Sequence, residues 1–228
     1  ELGLAKGEIQ HLKKAGTSLV PKIKICDNIL ECIGRKTYII LQGALKIKGV
    51  YLTGSLLLQA YIGEIWDCFD IDLVACDQKR VFDYFMSNGY SISLVSYGNY
   101  SKVSHVYRAT DSENIVKFDI LVPFENIGMP RETRGQCYDL ALYVASQFDF
   151  DFCKMLYDGS NAHIINRSAA DSQVHHGKPV CHGNIVTSQE RIQKYIDRGF
   201  GFVEEDEKIE YTKDYVRNNL FVTQLAKN

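Results

Sequence analysis

Apolar positions along the chain switch between two periods, and each switch marks an element. Residues 3–15 and 26–47 have helical spacing, with Ile23, Ile25, Ile29, Leu30 and Ile33 forming one buried stripe, and the basic interruptions at 34–36 and 46–49 read as solvated turns. A short apolar strand at 50–52 runs into the tight turn Gly54-Ser55. An apolar helix follows over 56–62, with Ser55 as its N-cap and Gly63 as its stop. Residues 69–74 form a second strand. Asp77 caps a helix through Ser87 whose apolar face is Val81, Phe82, Phe85 and Met86, and Asn88-Gly89 end it. Residues 91–97, 102–108 and 115–122 alternate with period two between short polar turns at 98–99 and 111–114, which predicts an antiparallel meander.

Beyond Pro123 and Pro130, which bracket a loop, residues 133–147 predict an amphipathic helix with Leu140, Leu142, Tyr143 and Val144 facing inward. Residues 148–152 alternate as a strand, 153–157 lead to the turn Asp158-Gly159, and 166–186 read as a polar loop. Thr187-Ser188-Gln189-Glu190 is a capping box for a helix that reaches Arg198 and closes at Gly199, and 211–226 predict a terminal helix. The fold class is α+β: a helical unit and a mixed, mainly antiparallel sheet.

With 228 residues the chain has material for an ample core, and its aromatic and aliphatic content is that of an ordered globular protein. A net charge of −2 argues against a broad nucleic-acid footprint while leaving room for a local basic groove. No apolar run reaches the length of a membrane span and the first residues lack a signal-peptide core, so a soluble, intracellular (cytoplasmic) protein with no membrane partner is expected. The cysteines, seven in all and without paired spacing, read as reduced and mostly buried thiols.

The candidate chemistry lies in residues 51–76. A Gly-Ser turn opening a helix leaves backbone N–H groups unpaired at the positive end of the helix dipole, which suits a nucleotide phosphate. On the next strand Asp70 and Asp72 point to one face, and Phe69, Ile71 and Leu73 to the other. Two like charges side by side are costly unless a cation lies between them, and a hard divalent cation with oxygen ligands fits. Each feature alone also has a plain structural account: solvated charges of an edge strand, an ordinary helix cap, and in Asp119 a charge that discourages strand pairing.

Gly54-Ser55 opening a helix, Asp70-x-Asp72 on the next strand and a lone Asp119 within the later apolar strand resemble the nucleotidyltransferase superfamily of polymerase beta over residues 50–122. In wording, the GS…LQ…GE.W…DID core also resembles nucleotidyltransferase-like proteins encoded by large DNA viruses. The resemblance implies a nucleotidyltransferase-like domain over 1–160, with the N-terminal helices included and the sheet flanked by helices. A loop and helical C-terminal extension over 161–228 would pack on it.

The resemblance further implies transfer of a nucleoside monophosphate from a nucleoside triphosphate to a hydroxyl acceptor, which is a nucleic acid, a protein or a small molecule. By the family's pattern Asp70, Asp72 and Asp119 bind Mg2+ or Mn2+, and Asp119 helps deprotonate the acceptor. Gly54 and Ser55 hold the β- and γ-phosphates, and Lys117, or Lys102 and Arg108, neutralises the triphosphate. The alternative is an inactive nucleotidyltransferase-like binding or structural protein, such as a virion component, which the near-neutral charge favours.

Other residues compete for attention. Asp149 and Asp151 form a second same-face pair, read as the polar side of a half-buried strand because no phosphate turn precedes them. His175, His176, Cys181 and His182 are zinc-ligand types, yet their spacing matches no common zinc module and predicts an exposed loop without zinc. Arg191, Lys194 and Arg198 share one helix face, read as solvated and balanced by the acidic residues at 204–207.

Overall fold

Helix α1 (Ile25–Leu45) buries Ile25, Ile29 and Ile33 of the predicted stripe, leaves Leu30 exposed at its edge, and bends at Gly34, whose φ of 73° belongs to the left-handed half of backbone space that only glycine enters without strain; Ile23 lies outside the described residues. The basic interruption in the sequence is therefore a real break in the helix. The structure is a computed structural model that describes residues 25–67, 70–97, 103–113, 116–124, 134–176, 187–203, 216, 218 and 220–224. The helix expected over 3–15 and the turn at 98–99 lie outside the described residues.

The elements that follow are β1 (Val50–Thr53), α2 (Gly54–Ile62), β2 (Asp70–Ala75), α3 (Gln78–Ser87), β3 (Ser91–Tyr97), β4 (Val103–Thr110), β5 (Lys117–Pro123) and α4 (Arg134–Ser146). Then come a 3-10 turn at Asp151–Cys153, β6 (Met155–Tyr157), β7 (Asn161–Ile164), α5 (Arg167–Ser172), β8 (Val174–His176), α6 (Gln189–Asp197), β9 (Gly201–Val203) and β10 (Phe221–Gln224). One sheet of eight strands runs in the order β10-β7-β6-β1-β2-β5-β4-β3, and β8 pairs with β9 apart from it. Within the large sheet β2 and β5 are parallel and every other pairing is antiparallel, so the fold is mixed and mainly antiparallel with flanking helices.

The predicted meander is present as β3, β4 and β5. Asp77 caps α3 by accepting from the Arg80 N–H at 3.2 Å. Val81 and Phe85 are buried, Phe82 is half-buried, and Met86 lies in solvent beyond the edge of the apolar stripe.

Strand alternation sorts the sheet into two unlike faces. Leu52, Ile71, Leu73, Phe118 and Ile120 are fully buried on one side, where the Phe118 ring packs against Phe85 at 4.9 Å and Tyr90 at 5.6 Å. The other side carries Thr53 beside Asp72 and, two residues along, Tyr51 beside Val74. Helix α4 covers the Tyr51 end of that side through Tyr138, leaving the aspartate end to other neighbours.

Three expectations are corrected beyond residue 147. Residues 148–152 form bends and the 3-10 turn, not a strand, because Phe150 and Phe152 stack at 5.2 Å and both sink into a cluster with His175, Tyr195, Phe200 and Phe202. Alternation there tracks aromatic burial and not the pleat of a sheet. The stretch read as a polar loop from 166 holds α5 and β8, and Asn166 caps α5 by accepting from the Ala169 N–H. The terminal helix expected over 211–226 gives way at Phe221 to β10, which pairs antiparallel with β7 while Arg167 lies 4.1 Å above the Phe221 ring. Of the thiols described, Cys153 is buried and Cys26, Cys32, Cys76 and Cys137 are half-buried and free. Among the described residues no helix is long and apolar enough to cross a membrane.

Truncating the ring at the centre of the buried face should be among the costliest changes: Phe118→Ala is expected to lower stability by about 3–5 kcal/mol. Urea unfolding should show the midpoint falling with an unchanged slope.

Candidate functional site

Gly54 is the first residue of α2 and has φ of 74°, and a Cβ there would overlap the Asp72 carboxylate. Both the backbone conformation and the approach of Asp72 therefore demand glycine. The N-cap is Thr53 and not Ser55, which sits inside the first turn. Thr53 does not cap the helix with its side chain, because its hydroxyl donates to the Met155 carbonyl at 2.7 Å and ties β1 to the start of β6. Gly63 ends the helix as expected, its N–H donating to the Gln59 carbonyl at 2.9 Å.

The parallel register of β2 and β5 sets Asp72 beside Asp119 and Asp70 beside Lys117. All four residues therefore belong to one face of the sheet. Arg108 stands opposite Asp119 on β4. Its Nε donates to Asp119 Oδ1 at 2.7 Å and its Nη2 to Oδ2 at 2.6 Å, a two-pronged pair, while Nη2 lies 3.7 Å from Asp70 Oδ1. The Asp119 side chain is largely covered, at 14% exposure, whereas that of Asp70 is open at 54%. Lys102 lies outside the described residues.

Asp72 is the aspartate with no direct cation on it among the bonds described. Burial, followed by repulsion from Asp119, pushes its carboxyl up to about 7, with Asp70 adding to the rise and Arg191 and Lys194 opposing it. Those two cations lie on α6, whose basic face was read as solvated. Arg191 and Lys194 are exposed, yet Arg191 also pairs with Asp149 at 3.0 Å, and Arg198 stacks over Trp66 at 4.3 Å. Helix α6 is thus a wall of the site, anchored by the buried Tyr195 whose hydroxyl meets Cys153 Sγ at 3.2 Å. Sequence held the signal as basic residues at helical spacing, but the Phe150 and Trp66 rings that Arg191 and Arg198 lie over are distant in the chain.

The rival carboxylates have structural work. Asp149 accepts from Arg191 and Thr187, and Asp151, buried, is bonded to His175 Nδ1 at 2.6 Å, Asn166 Nδ2 at 3.1 Å and the His176 N–H at 3.4 Å. His175 is buried and not part of an exposed loop, and Cys181 and His182 lie outside the described residues.

The chemistry of the donor set fits a divalent cation: oxygen ligands only, with Asp72 and Asp119 abreast and Asp72 short of compensating charge. With Arg108 paired to Asp119, no three His, Cys, Asp or Glu side chains among the described residues converge as a ready metal cluster.

Scanned against protein-family models the chain matches none, and no curated protein matches it. Among solved structures, a CCA-adding enzyme in complex with CTP superposes with a TM-score of 0.50 at 15% identity, covering 79% of this chain and 43% of that one. The fold is similar to that of a CCA-adding enzyme. The Thermotoga maritima CCA-adding enzyme complexed with tRNA gives a TM-score of 0.48 at 14% identity, over 86% of this chain and 44% of that one. The chain spans less than half the length of the solved enzymes it matches.

Two measurements check the geometry. Gly54→Ala should cost about 2 kcal/mol or more, since alanine meets both a disfavoured φ and the Asp72 carboxylate. Chemical denaturation showing no loss would contradict that close approach.

For Asp72, whose folded-state value of about 7 lies above its unfolded one, the folded chain retains a proton that the unfolded chain has released. Stability from this group is therefore greatest in acid and falls as pH rises from roughly 4 through about 7, staying lowered above. In divalent-free buffer, Asp72→Asn should melt progressively higher than the native chain across that window. A difference in Tm that does not vary with pH would count against the assignment.

Proposed function

We propose that this chain is a metal-dependent nucleotidyltransferase domain that moves a nucleoside monophosphate from a nucleoside triphosphate to a hydroxyl acceptor. The observation that carries the reading is the row of Asp70, Asp72 and Asp119 on one sheet face, beside a glycine-started helix against which Asp72 is pressed. Similarity of the fold to an enzyme solved with CTP supports it.

In this reading Gly54 and Ser55 present the start of α2 to the β- and γ-phosphates, and Lys117, beside Asp70, meets the triphosphate's charge. Asp70, Asp72 and Asp119 hold Mg2+ or Mn2+, and Asp119 also helps draw the proton from the acceptor hydroxyl. The bound ion supplies charge stabilisation for the attacking and leaving oxygens. The acceptor oxygen forms a bond to the α-phosphorus as the bond to pyrophosphate breaks. Arg191 and Lys194, which face Asp72 from α6, add positive charge at the same mouth. A nucleic-acid acceptor fits this local basic wall better than it fits the chain's overall charge of −2.

A second reading, an inactive nucleotidyltransferase-like binding or structural protein that takes up neither metal nor nucleotide at these aspartates, is favoured by one feature: the Arg108 fork on Asp119. The two separate on thermal melting with Mn2+ and each nucleoside triphosphate. An active domain should gain about 2.7 kcal/mol at a ligand concentration a hundredfold above Kd. Asp70→Asn combined with Asp72→Asn should abolish that gain and reduce transfer to background while the metal-free melting temperature stays the same or rises. Failure of the native chain to respond to any metal and nucleotide pair would decide for the inactive domain.

A further inference from the structure

We propose that Arg108 is a resident cation of the carboxylate cluster, filling the place between Asp119 and Asp70 and competing there with the divalent ion. The inference rests on the metal-dependent reading of these aspartates and adds to it a part for a residue of β4.

The geometry singles Arg108 out. Its guanidinium engages both oxygens of Asp119, at 2.7 and 2.6 Å, and reaches Asp70 at 3.7 Å. A planar fork uses the lone pairs of a carboxylate that a chelated ion needs, so the same oxygens cannot serve both in the same geometry. Burial at the site strengthens the contact, since the Arg108 side chain is 29% exposed and that of Asp119 only 14%. The register brings the two side chains within reach: Arg108 is the β4 partner of Asp119, and Asp119 is in turn the β5 partner of Asp72.

Charge points the same way. Asp70, Asp72 and Asp119 carry three negative charges when ionised, and the fork answers that of Asp119. For Asp119 to become a ligand or to take a proton from an acceptor, Arg108 has to let go, after which its guanidinium is free to meet the negative charge of the nucleotide. Metal uptake and nucleotide binding at this site are thereby coupled through one side chain.

The test is a Mn2+ titration of the full chain, with free ion read from its electron paramagnetic resonance signal. Arg108→Gln should bind Mn2+ about tenfold more tightly than the native chain or better, because a competing charge is gone. Arg108→Lys keeps the charge but cannot grip both oxygens, so it should fall between the two, and it serves if the glutamine variant does not fold. Arg80→Gln, which removes a charge from the exposed Arg80–Asp77 pair, should match the native chain. Native binding with equal or weaker binding in both Arg108 variants would overturn the inference and leave the nucleotidyltransferase reading standing. Absence of Mn2+ binding in the native chain and in every variant would overturn both.

Discussion

The parallel pairing of β2 with β5 is the constraint on which the rest of the site depends. In an otherwise antiparallel sheet, this pairing sets Asp72 and Asp119 on adjacent strands with side chains to the same face. A slip of one residue on either strand would send that strand's aspartates into the core and its apolar residues into the cleft. What prevents the slip is the opposite face, where Ile71, Leu73, Phe118 and Ile120 are fully buried and Phe118 packs against Phe85 and Tyr90. The apolar half of each strand thus holds the polar half in place, and moving four large side chains into water would cost far more than separating two carboxylates recovers.

Close placement of like charges is then managed by neighbours from three directions. Arg108 answers Asp119 from β4, Arg191 and Lys194 favour the ionised form of Asp72 from α6, and Gly54 gives way so that the Asp72 carboxylate can lie against the start of α2. The balance is incomplete at Asp72, which remains above the ordinary carboxylate range.

Helix α6 reaches the site because of an aromatic cluster remote from the aspartates. Phe150, Phe152, Tyr195 and Phe200 pack together, and the buried Asp151–His175 pair fixes β8 beneath them. With Tyr195 buried, the basic side of the helix has two places to go: Arg191 to Asp149 and Arg198 to Trp66. Segments more than a hundred residues apart in sequence, at Thr53 and Met155, are joined by one hydroxyl-to-carbonyl bond beside the carboxylates.

Local chemistry in the sequence settled much of this. The helix that follows β1 and is stopped by Gly63, the Asp77 cap, the meander and the same-face aspartates all follow from neighbours within a few residues: conformational freedom at glycine, a carboxylate beside an unpaired N–H, and period-two alternation, whereas the start of that helix at Gly54 in place of Ser55 does not. The reading failed where a pattern had two physical sources. The alternating phenylalanines at 148–152 looked like a strand but are anchors of an aromatic cluster, and the terminal residues at 221–224 looked helical until β7 offered an unpaired edge. Likewise Arg108, Arg191 and Lys194 are cations at any exposed position, and nothing in their own neighbourhoods says which carboxylate they answer. That was decided by strand register and by the burial of Tyr195, because Coulomb attraction depends on separation in space, and the chain sets that separation only once distant segments have packed.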